Sequence, residues 1–262
     1  MLFLHISSAF LISFCTAQIN VLSDEFIDSI NKVQSFWKAG KVWPENTTRE
    51  FLNRLSGSVD PKLFQHEHKG RILHPHQFRM RSDIPESFDL RHRWPQCTTI
   101  GKVRSQGYCG SCWALVPASV LTDRFCIASK GKVRFEFSAE DILTCCSRGC
   151  VSKRNNYCDG GRADKAWKFL IKEGGVSGGE YKSNEGCKPY PIEIFKADAV
   201  PGCRRACTNK NYPVPYSKDK RFVKYDTQIW TKSVSQIQTE IMDNGPVDAY
   251  MNVYKDFEVY RE

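Results

Sequence analysis

Apolar residues recur at helical spacing in several stretches of the chain, each opened by a small polar residue and closed by glycine or polar runs. Leu22-Ser23-Asp24-Glu25-Phe26-Ile27-Asp28-Ser29-Ile30-Asn31 places Ser23 as an N-cap, acids in the first turn and an apolar face at helical period. Val33, Phe36 and Trp37 continue that face, and Gly40 is positioned to end it. A second, shorter helix is predicted from Thr48 to Leu55, a long one from about Ser111 to Ser129, one beginning at Ser138 and one over Ala163 to Glu173, closed by Gly174-Gly175. In the long one, Pro117 lies past the first turn, where proline costs about 3 kcal/mol relative to Ala. Cys158-Asp159-Gly160-Gly161 reads as a tight turn. Near the C-terminus the pattern changes period: Val247, Ala249, Met251 and Val253 alternate as in a strand.

The first residues are different. Met1 to Ala17 holds a short apolar run followed by Cys15-Thr16-Ala17, the form of a secretory signal whose removal would leave Gln18 as the N-terminus. Asn46-Thr47-Thr48 is an N-glycosylation sequon and so is expected on the surface. His66, His68, His74 and His76 lie in a polar stretch. They could ligate a metal, but no cysteine or carboxylate cluster accompanies them, and a solvated segment is the expectation.

Chemistry concentrates in Gln106-Gly107-Tyr108-Cys109-Gly110-Ser111-Cys112-Trp113-Ala114. A thiol is a good nucleophile only as a thiolate, and a helix N-terminus, with its free N–H groups and partial positive charge, favours that form. Cys112 stands at the predicted start of the long helix. Trp113 can shield one side from water. Gln106 can turn its amide toward an oxyanion, which with the Cys112 backbone N–H makes a two-donor hole. Two other readings of Cys109-x-x-Cys112 remain open from these residues alone: half-cystines of a secreted scaffold, and a redox dithiol.

Cys109-Gly110-Ser111-Cys112-Trp113 resembles the nucleophile signature of papain-like cysteine proteases. Ile84-Pro85-Glu86-Ser87-Phe88-Asp89 resembles the start of a mature papain-type enzyme, and further strings resemble cathepsin B: Leu22-Ser23-Asp24-Glu25, Trp37-Lys38-Ala39-Gly40, Trp94-Pro95-Gln96-Cys97, Tyr212-Pro213-Val214-Pro215-Tyr216 and Asn244-Gly245-Pro246-Val247. The resemblance implies an α+β, papain-like two-lobe fold with the helical left lobe present and the β-rich right lobe incomplete. It implies a propeptide over 18–83 that runs back-to-front through the cleft and inhibits the enzyme, a processing point near Arg81 to Ile84, and a peptidase domain over 84–262. Cys112 would be the nucleophile and Gln106 the oxyanion-hole side chain, with Gly110, Trp113, Gly160 and Gly161 lining the substrate site. It also implies the pairs Cys97–Cys126, Cys109–Cys158, Cys145–Cys203, Cys146–Cys150 and Cys187–Cys207. Removing Cys15 with the signal and Cys112 as nucleophile leaves an even number of cysteines, as a thiol protease in an oxidising compartment needs; a redox dithiol would leave one unpaired.

The sequence departs from that family in named places. All six histidines precede Cys112, whereas the family carries its catalytic His and Asn after the nucleophile. Tyr260-Arg261-Glu262 resembles the stretch shortly before the catalytic His, so the expectation is a C-terminally truncated peptidase, with a catalytically dead binding or decoy protein as the alternative. Between Cys187 and Cys203 there is neither His nor Cys, so the histidine-bearing occluding loop is missing. Ser105 stands where an Asp is usual, Asp159 where an Asn is usual, Leu115 to Ser119 depart from the usual helix residues, and Ser56 stands near the usual propeptide cysteine.

Composition adds limits. The 262 residues and 41% hydrophobic content allow one large domain or two small ones with a real core. The 12 cysteines suggest an oxidising compartment, and the signal serves the secretory pathway toward either the extracellular space or the lysosome. The formal charge of +9 is scattered over the chain rather than gathered in a basic stripe, so no nucleic-acid partner is expected. After the signal no stretch is long enough for a membrane span. The expected partners are protein or peptide substrates and the chain's own propeptide, acting on a monomer, with no metal and no cofactor.

Overall fold

The computed structural model describes residues 20–68, 81–153, 156–193, 200, 202–223 and 233–261. The segment expected to be a signal and two of the four clustered histidines, His74 and His76, lie outside the described residues, as do the side chains of His66 and His68. The chain forms two compact units, one ending at Thr47 and completed by residues from Asn252 onward, the other spanning Thr48–Met251.

The first unit is built on α1 (Asp24–Val33). Ser23 caps it by accepting from the Phe26 N–H, and Ile27 and Ile30 face inward. They pack with Ala39 and Val259, and a backbone bridge joins Ala39 to Tyr260. The expected continuation through Phe36 does not form: the helix ends at Val33, and Val33 and Phe36 are 83% and 98% exposed. Gln34 stops it. Its side-chain oxygen accepts from the N–H groups of Phe36 and Trp37 while its amide donates to the Trp37 carbonyl, closing a turn that competes with the next helical hydrogen bonds.

In the second unit, α2 (Arg49–Leu55) starts at Thr48, which caps the Phe51 N–H, and 3-10 turns over Pro61–His68 follow, broken at Phe64. Next come α3 (Leu90–Arg93), α4 (Cys112–Ala128), α5 (Ala139–Cys145) and α6 (Ser147–Cys150). The antiparallel pair β1 (Val151–Lys153) and β2 (Asn156–Gly161) leads into α7 (Ala163–Lys172), α8 (Tyr216–Asp219) and α9 (Val234–Asn244). The central element is α4. It is apolar on nearly every side, as a helix enclosed by the rest of a domain must be. Trp113, Ala114 and Ala118 are wholly buried against Ile142 and Leu143 of α5 and Ala166 and Leu170 of α7. Pro117 sits inside α4 without interrupting it.

A buried ionic cluster fixes the start of α5. Ser138 caps the Asp141 N–H, and the Asp141 carboxylate, fully buried, accepts from Lys188 Nζ at 3.3 Å, Lys220 Nζ at 2.9 Å and the Tyr216 hydroxyl at 2.9 Å. Lys188, the first residue after Cys187, is itself fully buried.

Two expectations are corrected here. Cys158 to Gly161 is part of strand β2 rather than a free turn, because Val151 pairs with Gly161. Residues 246–254 belong to no strand, and Tyr250, Met251, Val253 and Tyr254 are exposed. Alternation alone does not make a strand: the ladder needs a hydrogen-bonded neighbour, and the described residues provide none there.

Candidate active site

The site is assembled where the loop before α4 crosses β2. Cys109 is disulfide-bonded to Cys158, the Gly110 N–H donates to the Cys158 carbonyl at 3.0 Å, and Gly110 bridges Asp159 in parallel. The loop is therefore fixed covalently at Cys109 and by backbone pairing at Gly110, three and two residues before the helix begins. Cys112 is the first residue of α4, is partly exposed, and is the one cysteine outside a disulfide among the described residues. Ser111 precedes the helix but does not cap it with its side chain. Its hydroxyl lies 2.6 Å from the Tyr190 hydroxyl instead.

Tyr190 is a part of the site that sequence reasoning missed. Its hydroxyl donates to the Gln106 carbonyl at 2.9 Å, and since a phenol has a single proton, Ser111 must be the donor in the shorter contact. One buried hydroxyl thus ties together the backbone of Gln106 and the residue before Cys112. Burial of the ring pushes the Tyr190 hydroxyl well above the ordinary phenol range, so it stays neutral. Ser105 also finds a role: its oxygen accepts from the Gly107 N–H at 3.2 Å, shaping the turn that presents Gln106.

The other predicted residues converge on the same place. Trp113 is buried beneath Gly161; a Cβ at Gly161 would collide with the indole ring and with the Cys150 carbonyl. Gly160 and Gly161 expose their backbone to residues 57–59: the Gly161 N–H donates to Gly57 O at 2.7 Å and the Val59 N–H donates to Gly161 O at 2.9 Å, a parallel bridge centred on Ser58. Gly57 is packed so closely that a Cβ would strike the Gly110 carbonyl. Two residues earlier, the Leu55 carbonyl accepts from Gln106 Nε2 at 2.9 Å. A segment of the chain's own N-terminal region therefore lies on the predicted oxyanion donor and on the predicted substrate-binding strand at once. Phe51 and Leu52 of α2 are buried, and the Phe51 ring stands 5.0 Å from that of Tyr108.

Further along, Arg162 and Lys165 at the start of α7 hold Glu67. Arg162 Nη1 and Nη2 donate to its two oxygens at 2.7 and 3.0 Å, and Lys165 Nζ donates at 2.7 Å. The Arg162 guanidinium, then the Lys165 ammonium, pull the Glu67 carboxyl down to about 2. The only sequence signal was position, since Arg162 directly follows Gly160-Gly161 and Glu67 stands within the stretch expected to be solvated.

The structure also contains the disulfides Cys97–Cys126, Cys145–Cys203, Cys146–Cys150 and Cys187–Cys207. Between Cys187 and Cys203, the described residues Lys188, Tyr190 and Ile192 turn into the core. Asn46 belongs to the first unit, where it lies on an exposed turn. Among the described residues no group of His, Cys, Asp or Glu could hold a metal, and no helix is long and apolar enough to cross a membrane.

Residues 84–262 match the family described as papain family cysteine protease. The chain belongs to that family. Within it, the chain is similar to cathepsin B-like cysteine proteinase 4 of Caenorhabditis elegans, 38% identical over 246 residues that cover 88% of this chain and 70% of the relative. Cathepsin B-like cysteine proteinase 5 of the same organism is 38% identical over 251 residues, covering 89% and 69%. Among solved structures, proCathepsin B S9 from Trypanosoma congolense superposes with a TM-score of 0.76 at 29% identity, over 92% of this chain and 76% of that one. The fold is papain-like, and the chain is a cathepsin B-like cysteine peptidase by family.

Proposed function

We propose that this chain is the zymogen form of a secreted cysteine endopeptidase, with Cys112 as nucleophile, Gln106 and the Cys112 N–H as oxyanion donors, and residues 48–68 as part of an inhibitory propeptide. The observation that carries this reading is the double occupation of the site: Leu55 O on Gln106 Nε2, and residues 57–59 on Gly161. A substrate needs the same two places, one for the carbonyl that becomes an oxyanion and one for its backbone, so the two cannot bind together. The parallel sense of the Ser58–Gly161 bridge fits a segment threaded opposite to substrate.

In the reaction, Cys112 Sγ bonds to the substrate carbonyl carbon, the oxyanion collects at Gln106 and the Cys112 N–H, and the amine leaves with a proton. Water then cleaves the thioester and restores the thiol. A general base must supply and accept those protons, and the six histidines of this sequence all precede Cys112. That fact leaves two readings to separate: a peptidase whose general base comes from residues outside this sequence, and a catalytically dead homologue that binds rather than cleaves. The disulfides fit the secretory pathway, extracellular or lysosomal. Without histidines between Cys187 and Cys203, the peptidase is proposed to cut internally and not to release dipeptides from C-termini.

The test is turnover of internally quenched peptides by the purified chain and its Cys112→Ser variant, with alkylation by iodoacetamide followed by intact mass. Turnover abolished by the substitution supports the peptidase. Alkylation at Cys112 without any turnover would show a reactive thiol that lacks its general base in this chain, and efficient dipeptide release would overturn the endopeptidase assignment.

A further inference from the structure

We propose that Arg162 and Lys165 form a carboxylate-binding subsite beside the Gly160-Gly161 strand, filled in this chain by Glu67 and, once residues 54–67 are displaced, by an acidic side chain of a peptide substrate. The substrate class rests on the peptidase reading above; the carboxylate site itself does not.

The guanidinium is oriented before any ligand arrives. Asp164, with a side chain only 4% exposed, accepts from Arg162 Nε at 3.0 Å and from Nη2 at 2.9 Å, and the Arg162 N–H is fixed to the Cys150 carbonyl at 2.7 Å. What remains of the fork points at Glu67 and meets it with two parallel hydrogen bonds, the geometry in which arginine reads a carboxylate best. Lys165 adds a third donor to the same carboxylate. Lys168 Nζ stands 3.9 Å from the Asp164 carboxylate, one turn along α7. With Glu67 removed, the Arg162 and Lys165 cations that held it face the vacated place, which therefore favours a negative ligand.

Position gives the site its meaning. Arg162 follows Gly161 directly, and Gly161 is the residue whose N–H and carbonyl hold an extended backbone. A peptide lying there passes a cation pair next to the strand. The Phe64 ring, with the Arg162 guanidinium carbon 3.7 Å from its centre, belongs to the same departing segment as Glu67, so both occupants leave together. The side chains of Arg162, Lys165 and Glu67 are 17%, 25% and 32% exposed, sheltered enough to discriminate yet reachable.

The experiment uses the full chain, labelled with 15N-arginine. In Glu67→Ala, acetate titrated at constant ionic strength should shift the Arg162 Nε–H resonance saturably. That resonance is assigned by its loss in Arg162→Gln. Acetamide should give no such shift, and neither should acetate with the wild-type chain, whose own Glu67 fills the place. Adding Lys165→Gln should weaken acetate by about threefold to fivefold, the range for a partly exposed ion pair. A linear drift, or the same response in wild type, would overturn the subsite. A second arm compares internally quenched peptides carrying Glu or Gln at each position N-terminal to the cut. Glu should be favoured about fivefold at one position, and Arg162→Gln should erase that ratio. Turnover with Glu and Gln equal throughout would overturn the substrate class. Absence of all turnover would follow from the missing general base under either reading above, and the acetate titration alone would then decide the subsite.

Discussion

Gln106 Nε2 donates to the main-chain carbonyl of Leu55 at 2.9 Å, across 51 positions of sequence. A donor suited to an oxyanion is thus occupied by a neutral carbonyl of the same chain, which also accepts from the Gly57 N–H at 3.0 Å. The strand contact at Gly161 lies just beyond, and the two are linked through Gly57, which has no room for a Cβ.

Gly57 therefore controls how firmly the segment is seated. Any Cβ there meets the Gly110 carbonyl, a backbone atom held by the Cys109–Cys158 disulfide and unable to give way cheaply. Overpacking of this kind costs about 1–3 kcal/mol. Gly57→Ala should lift residues 55–59 off the strand and speed alkylation of Cys112 by iodoacetamide about tenfold or more, the rate following the open fraction. Unchanged alkylation kinetics would show that the segment does not shield the thiol.

Tyr190 is expected to act through the residues it holds. Tyr190→Phe keeps the ring in its buried place and removes the hydroxyl shared by Ser111 and the Gln106 carbonyl. The loss should be about 1 kcal/mol of stability, with the Ser111 hydroxyl left to find another acceptor. If the hydroxyl serves position as well as stability, the Gln106 side-chain amide resonances should broaden or split in an NMR spectrum of the variant. A drop in melting temperature with an unchanged Gln106 spectrum would reduce Tyr190 to a packing residue.

Lys188 and Asp141 lead to a third expectation. Both are fully buried, and the carboxylate has three donors. Removing one member unbalances a buried network: without Asp141, Lys188 keeps only Glu140 at 4.0 Å as a counter-charge, and without Lys188, Asp141 depends on Lys220 and the Tyr216 hydroxyl. Asp141→Asn or Lys188→Met alone should each destabilise by about 3–5 kcal/mol, while the double variant should recover a substantial part of the loss. Chemical denaturation of the four proteins checks this, and strictly additive losses would contradict the coupling.

Much of the local structure was legible in the sequence because it depends on near neighbours. Ser23, Thr48 and Ser138 cap α1, α2 and α5 through N–H groups three residues on, and those spacings are visible in the sequence. What failed were features set by distant partners or by side-chain competition. The early end of α1 depends on the Gln34 side chain forming its own turn. The strand expected over 247–253 lacks a neighbour to pair with among the described residues. Tyr190 reaches Ser111 from 79 residues away, and Glu67 reaches Arg162 across 95. No periodicity encodes such meetings, and Glu67 in particular stood in a stretch whose polarity suggested only solvent.

That same glutamate sets a pH window. Arg162 and Lys165 lower the Glu67 carboxyl from its ordinary 4.5 to about 2 in the folded chain. A carboxyl held lower in the folded state than in the unfolded one contributes fully above its unfolded value and loses that contribution as pH falls toward the folded one. The clasp should therefore be intact at pH 7 and at pH 5, and should fail only between about 4.5 and about 2. Hydrogen-exchange protection of the Val59 N–H, which donates to Gly161, reports the docking of the segment directly. Wild type should exceed Glu67→Gln in protection by a constant factor from pH 7 to pH 5, and the two should converge as pH approaches 2. Convergence already by pH 5 would mean that some group other than Glu67 releases the segment on mild acidification.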